Sequence, residues 1–123
     1  MKILVDTHIF LWMLSNPEKL SEKRCYELES PANEIFLSSI SIAELMIKQS
    51  ISKITIQFNP LDMAKNTGMN ILDFSGQNAL TLGGLPLHHK DPFDRMLIAQ
   101  ALDHEMLLMT DDEKIASYSC KTC

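Results

Sequence analysis

The chain predicts an α/β fold: a central, mostly parallel sheet with helices on both faces. Two observations carry that prediction. Short runs rich in Ile, Leu and Val recur near residues 2–6, 34–37, 69–74 and 106–110, each bounded by cap or turn residues, as strands buried on both faces are. Between them lie stretches whose apolar residues follow helical spacing, so strand and helix alternate along the chain. At 123 residues there is room for one domain with a real core, residues 1–123, and not for two.

The elements follow in order. Residues 2–6 form a strand that runs into an apolar helix over 7–14, which Asn16-Pro17 breaks. Residues 21–30 are a charged amphipathic helix with Cys25 and Leu28 facing inward, ended by Pro31. A second buried strand occupies 34–37. The next helix spans 41–49, where Ser41-x-x-Glu44 has the form of a capping box. A helix over 60–67 stops at Gly68, a third strand covers 69–74, and a short helix over 77–82 ends at Gly83-Gly84. After a loop at 85–90, Asp91 and Pro92 have the form of an N-cap and first helical position. The helix they open runs over 92–104, and the strand 106–110 follows it. Residues 111–117 read as a final helical turn and 118–122 as an edge strand.

Composition excludes several classes. With 46% hydrophobic and 22% charged residues the chain reads as globular, not disordered. No apolar run reaches the ~18 residues of a membrane span, and the first residues lack the form of a signal peptide. A cytoplasmic location is expected. Three cysteines, an odd number, argue against a disulfide framework. Cys120-Lys121-Thr122-Cys123 has C-x-x-C spacing without a second pair, so reduced thiols are expected there. The eight methionines, Met46, Met106 and Met109 among them, are expected to fill the core, and exposed ones would serve a partner surface. The net charge of −5 gives no global attraction to nucleic acid. It does not exclude a nucleic-acid enzyme, because metal-binding carboxylates make a bare chain acidic and bound cations reverse the local sign.

The acids carry the chemistry. Asp6 ends the first strand, Glu44 lies in the helix after the second, Asp94 opens the helix before the fourth, and Asp112 follows that strand. In an open parallel sheet the ligand crevice lies at the carboxyl ends of the strands, where strand order reverses. Carboxylates gathered there repel unless a counter-charge is supplied. Hard divalent cations supply one and support phosphodiester hydrolysis. Each acid also has a plainer role: Asp6 and Asp112 as N-caps, Glu44 as the reciprocal member of a capping box, Asp94 as a first-turn acid on a helix dipole. Spacing alone leaves the two readings open.

Four segments stand in order along the chain: Asp6-Thr7-His8, Ser38-Ser39-Ile40-Ser41-Ile42-Ala43-Glu44, His89-Lys90-Asp91-Pro92-Phe93-Asp94-Arg95, and Thr110-Asp111-Asp112. Together they resemble the PIN domain, specifically the VapC-type toxin ribonucleases of type II toxin–antitoxin systems, over essentially the whole chain. The resemblance implies a PIN-like three-layer α/β/α sandwich. It implies a divalent-metal-dependent endoribonuclease, using Mg²⁺ or Mn²⁺, that hydrolyses RNA phosphodiesters with metal-activated water and leaves 5′-phosphate and 3′-hydroxyl ends. Asp6, Glu44, Asp94 and Asp112 match the family's acidic, metal-binding quartet, with Asp111 beside Asp112 as a rival for the last place. A cognate antitoxin and a homodimer are the implied partners, with no membrane. Two positions depart from the pattern: Ala43 stands where many relatives have an aromatic residue, and Ser52 replaces a common glycine.

Thr7, His89, Lys90 and Arg95 are candidate substrate-binding residues. Thr7 adjoins Asp6, and the others, with His88, form the one local basic cluster. A solvated loop explains that cluster equally well. Adjacent His88 and His89 lack the i, i+4 spacing of a helical zinc pair, so no metal role is expected of them. Two rival functions stand beside this one: a catalytically silent PIN-like binding scaffold, and a receiver-like signalling domain. The second requires a phosphorylatable acid ending the third strand, whereas the predicted strand 69–74 places Asp73 inside it.

Overall fold

Strand and helix alternate as predicted. The computed structural model describes residues 1–115 and 118–123. It runs β1 (Lys2–Val5), α1 (Thr7–Ser15), a 3-10 turn (Pro17–Lys19), α2 (Glu22–Glu29), β2 (Glu34–Ser38) and α3 (Ser39–Ser50). Then come α4 (Pro60–Asn66), β3 (Asn70–Leu72), α5 (Gly76–Gly83), α6 (Pro92–Asp103) and β4 (Leu107–Met109). The strands form one sheet in the order β3-β2-β1-β4, and every neighbouring pair is parallel. β1 is central, with Val5 opposite Leu37 on one side and Met109 on the other.

Period-two alternation divides the core into two layers. Ile3, Val5, Ile35, Leu37 and Met109 point to one face, where they meet Ile9 and Phe10 of α1, Leu45 of α3 and Ala64 of α4. Leu4 and Leu108 point to the other face, against Leu97, Ile98 and Ala101 of α6 and Ile115 and Tyr118 beyond β4. Helices therefore cover both sides, a three-layer α/β/α sandwich. α5 lies on α6, where Asn78 and Thr81 donate to the two oxygens of Asp103 at 2.6 and 2.7 Å. Among the described residues no helix is long and apolar enough to cross a membrane.

Several boundaries differ from the sequence reading. α3 starts two residues before the predicted position, because Ser38 both ends β2 and caps the helix, its hydroxyl accepting from the Ile40 N–H at 3.0 Å. Ser41 is therefore inside the helix, and no capping box joins it to Glu44. β3 is three residues long, so Asp73 lies just past its end. The receiver-like reading still fails, on topology: β3 is the outermost strand, two places from β1, and Asp73 is exposed. The predicted edge strand 118–122 shrinks to one parallel bridge, Thr122 to Leu108, with the Cys123 N–H donating to the Leu108 carbonyl at 3.0 Å. Of the predicted final helical turn, residues 116 and 117 lie outside the described residues. Met106 and Met109 are core residues as expected, but Met46 is exposed on the outer face of α3 beside Ile47.

Candidate active site

Strand order reverses at β1, since the chain builds β2 and β3 on one side of it and β4 on the other. The crevice rule for open sheets therefore points to the carboxyl ends of β1 and β4, which carry Asp6 and Asp112.

Asp6 still belongs to the sheet through its N–H, which donates to the Met109 carbonyl at 3.0 Å. Its side chain then caps α1, accepting from the Ile9 N–H at 2.8 Å. The cap role is real, and it does not exhaust the residue: Asp6 is 5% exposed, and burial pushes its carboxyl up while the Thr110 hydroxyl and the Ile9 N–H pull it down. Glu44 projects from the second turn of α3 and is 4% exposed. The Thr7 hydroxyl donates to its Oε1 at 2.7 Å and lies 3.0 Å from the Ser41 hydroxyl, while Lys48 Nζ reaches its Oε2 at 2.6 Å. Thr7 thus links the Asp6 position to Glu44 across two helices.

α6 begins as predicted, with Asp91 accepting from the Phe93 and Asp94 N–H groups at 2.8 and 3.3 Å. That fixes the first turn and aims Asp94 toward β4. Burial first, then the neighbouring charge of Asp91, raises the Asp94 carboxyl to about 6, and Asp6 adds to the effect. Beyond β4 the adjacent acids diverge. Asp111 turns to the surface and pairs with Arg24. Asp112, its N–H donating to the Thr110 hydroxyl at 3.1 Å, points toward Asp94. Between them sits His89, with Nε2 at 2.8 Å from Asp94 Oδ2 and 3.0 Å from Asp112 Oδ2. The Asp91 N–H faces its Nδ1 at 3.4 Å, so Nδ1 is the acceptor and Nε2 carries the proton into the acid pair.

The predicted acids thus come together in two linked groups. Donor atoms of His89, Asp94 and Asp112 all lie within 4.8 Å of one another; Asp6 is coupled to Asp94 by charge, and Glu44 joins through Thr7. The predicted substrate contacts fare differently. Lys90 is exposed. Thr7 is buried against Glu44, and Arg95 donates to the Leu85 carbonyl at 3.2 Å and braces the loop. His89 is buried among the acids, not solvent-facing, while His88 stays outside, edge-on to the Tyr118 ring. Tyr118 anchors this loop through its hydroxyl, which accepts from the N–H groups of His88 and His89 at 3.1 and 3.0 Å.

Sequence reasoning missed three participants: Lys48, Thr110 and Tyr118. For Lys48 a signal existed, since i+4 from Glu44 is the same helix face. None existed for Tyr118, whose approach depends on tertiary folding. The cysteines stay outside this chemistry. All three are free thiols, and burial pushes Cys120 up and Cys123 up to about 11, away from reactive thiolate.

The donor set suits a hard divalent cation. Asp94 and Asp112 meet at His89, and the Asp6 and Asp94 carboxyls are pushed up chiefly by burial, with the charges of Asp91 and Asp6 adding to the effect at Asp94. The imidazole N–H between Asp94 and Asp112, and the ammonium on Glu44, offset part of that charge from two sides.

Comparison with known proteins agrees with the fold. The chain is 26% identical over 119 residues to Ribonuclease VapC22 of Mycobacterium tuberculosis, covering 94% of this chain and 91% of that one. Its fold is similar to a chain of VapBC2 from Rickettsia felis, a complex bound to a DNA fragment from its promoter, with TM-score 0.74 and 21% identity over 100% of this chain and 98% of that chain. It is also similar to a chain of a toxin–antitoxin complex from Klebsiella pneumoniae, with TM-score 0.68 and 24% identity over 98% and 95% of the two chains. The family model for the PIN domain matches residues 3–119, and with nearly the whole chain matched, this protein belongs to the PIN-domain family.

Proposed function

We propose that this chain is a divalent-metal-dependent endoribonuclease, the toxin of a toxin–antitoxin pair, with its active site at Asp6, Glu44, Asp94 and Asp112. The supporting observation is that Asp94 and Asp112 meet at His89 at the crevice where strand order reverses, with Asp6 acting on Asp94 by charge and Glu44 bonded to Thr7 beside Asp6. A plain capping role accounts in part for Asp6 and for Asp112, whose Oδ1 accepts from the Lys114 N–H at 2.9 Å, and explains neither the buried Glu44 nor the approach of Asp94 to Asp112 through His89. The similarity to Ribonuclease VapC22 supports RNA as the substrate, and the similarity to toxin–antitoxin complexes supports an antitoxin as partner.

Asp6, Glu44, Asp94 and Asp112 would hold Mg²⁺ or Mn²⁺. The ion supplies Lewis-acid charge for phosphodiester hydrolysis. The protein's own part is preorganisation. The Asp91 cap orients Asp94, Thr7 and Ser41 orient Glu44, and Thr110 ties Asp6 to Asp112. Lys90, exposed at the rim, is available to RNA phosphates.

The test is cleavage of a pooled transfer and ribosomal RNA by the purified chain with Mg²⁺, with Mn²⁺, with chelator, and with Asp94→Asn. Metal-dependent cutting with 5′-phosphate ends, lost in chelator and reduced at least about 100-fold in the folded variant, is the expected result. Equal cutting by the variant, or cutting in chelator, would overturn the assignment.

A further inference from the structure

Lys48 differs from an ordinary surface lysine in where its charge sits. Exposed Glu–Lys pairs at i, i+4 on helices are common and weak. Here the carboxylate side is 5% exposed and the ammonium side 33%, at 2.6 Å, so the pair runs from the buried acid cluster outward to solvent. The other Glu44 oxygen is already held by Thr7. Apart from Lys90, exposed at the rim, the remaining cationic groups near the crevice are committed elsewhere. Arg24 binds Asp111 and the carbonyls of Thr110 and Cys123, and Arg95 binds the Leu85 carbonyl. The proton on His89 Nε2 points into Asp94 and Asp112. Among the described residues, Lys48 is the ammonium that rests directly on one of the four acids.

We propose that Lys48 is a substrate-binding residue whose ammonium takes a phosphate oxygen of the RNA strand beside the cleaved bond. The inference rests on the nuclease reading above and deepens it. An acidic crevice repels a polyanion, so a cation seated directly on one of its acids offsets that repulsion where it arises. A divalent ion held by Glu44 would compete with Lys48 for that carboxylate. The four-carbon stem and three rotatable donors then let the ammonium swing to the phosphate without moving the backbone. Glu44 thus keeps Lys48 in store while the crevice is empty.

The rival role is positional, with Lys48 merely orienting Glu44, and the experiment separates the two. Lys48→Met keeps the apolar stem and Lys48→Arg keeps the charge. Mn²⁺ affinity is read by electron paramagnetic resonance, kinetics on a defined oligoribonucleotide, and RNA affinity against salt on a non-cleaving Asp94→Asn background. Lys48→Met is expected to keep Mn²⁺ affinity within about two-fold and to raise KM about ten-fold with a smaller change in kcat. It also lowers the slope of log affinity against log salt by about 0.7, one phosphate's share for a single strand. Lys48→Arg restores KM to within about three-fold. Reduced Mn²⁺ affinity with unchanged KM and salt slope would overturn the proposal in favour of the positional role. Unaltered kinetics in Lys48→Met beside an active wild type sinks the proposal alone. A folded wild type that neither binds nor cuts RNA sinks the nuclease reading and this inference with it.

Discussion

At the scale of single residues, the acids show how one side chain serves structure and chemistry together. Asp6 caps a helix and is still buried with its carboxyl pushed up; Asp94 sits in a first turn and is pushed up to about 6. A folded-state value above the unfolded one means the folded chain holds the extra proton between about pH 4 and 6, so stability falls as pH rises through that window. In chelator, Asp94→Asn is therefore expected to be more stable than wild type at pH 7, by up to about 3 kcal/mol. The advantage disappears by pH 4, where both side chains are neutral. Urea titrations of the two proteins at both pH values check this; an advantage independent of pH would contradict it. The residue types and order of the acids are readable from the chain. Which of Asp111 and Asp112 turns inward is not, because Arg24 decides it from 87 positions away. His89 escaped the zinc-spacing argument for the same reason: its partners come from α6 and from beyond β4, not from its own segment.

Among the elements, interiors were legible and ends were not. Periodicity locates α6 and its Asp91-Pro92 start, since cap and stripe are both local. The start of α3 was misplaced because Ser38 ends a strand and caps a helix at once, and a run of three serines and two isoleucines over 38–42 offers several equivalent caps. The other end of α3 is strained. Ser52 adopts φ +61° where its N–H donates to the Gln49 carbonyl and the following Lys53 N–H reaches back to Lys48. That is the left-handed residue of a helix-ending turn, the position that favours glycine, and the departure from a common glycine that the family resemblance implied falls there. Gly68, at φ +84°, fills the equivalent place after α4 without strain. Ser52→Gly is expected to raise stability by about 0.5–1 kcal/mol, read as a higher urea midpoint at unchanged slope. No gain would show that the turn tolerates serine at no cost.

For the whole molecule, the sheet order explains how acids from distant segments reach the same sheet edge. Charge and composition set only the class, and no sequence pattern states that β4 docks beside β1, although that pairing brings Asp112 to Asp6. The outer face of α3 has a second consequence: Met46, Ile47 and Ile51 are 39%, 47% and 58% exposed, with Ala43 on the same face. With the homodimer expected from the family resemblance, this face is the contact assigned to it. Light scattering on a sizing column is expected to show a dimer, and Ile47→Glu a monomer with unchanged thermal midpoint. A monomeric wild type would remove the dimer expectation.

The central place of β1 also sets a timetable for assembly. One of its neighbours is made within the first 38 residues, but the other comes only at 107–109. Parallel pairing over such a separation forms late, because a long loop must close before any bond rewards it. A chain emerging from the ribosome therefore carries Asp6 and Glu44 long before Asp112 exists to face them. The acid cluster cannot form on a half-made chain, so synthesis itself withholds the site until β4 and Asp112 have been added.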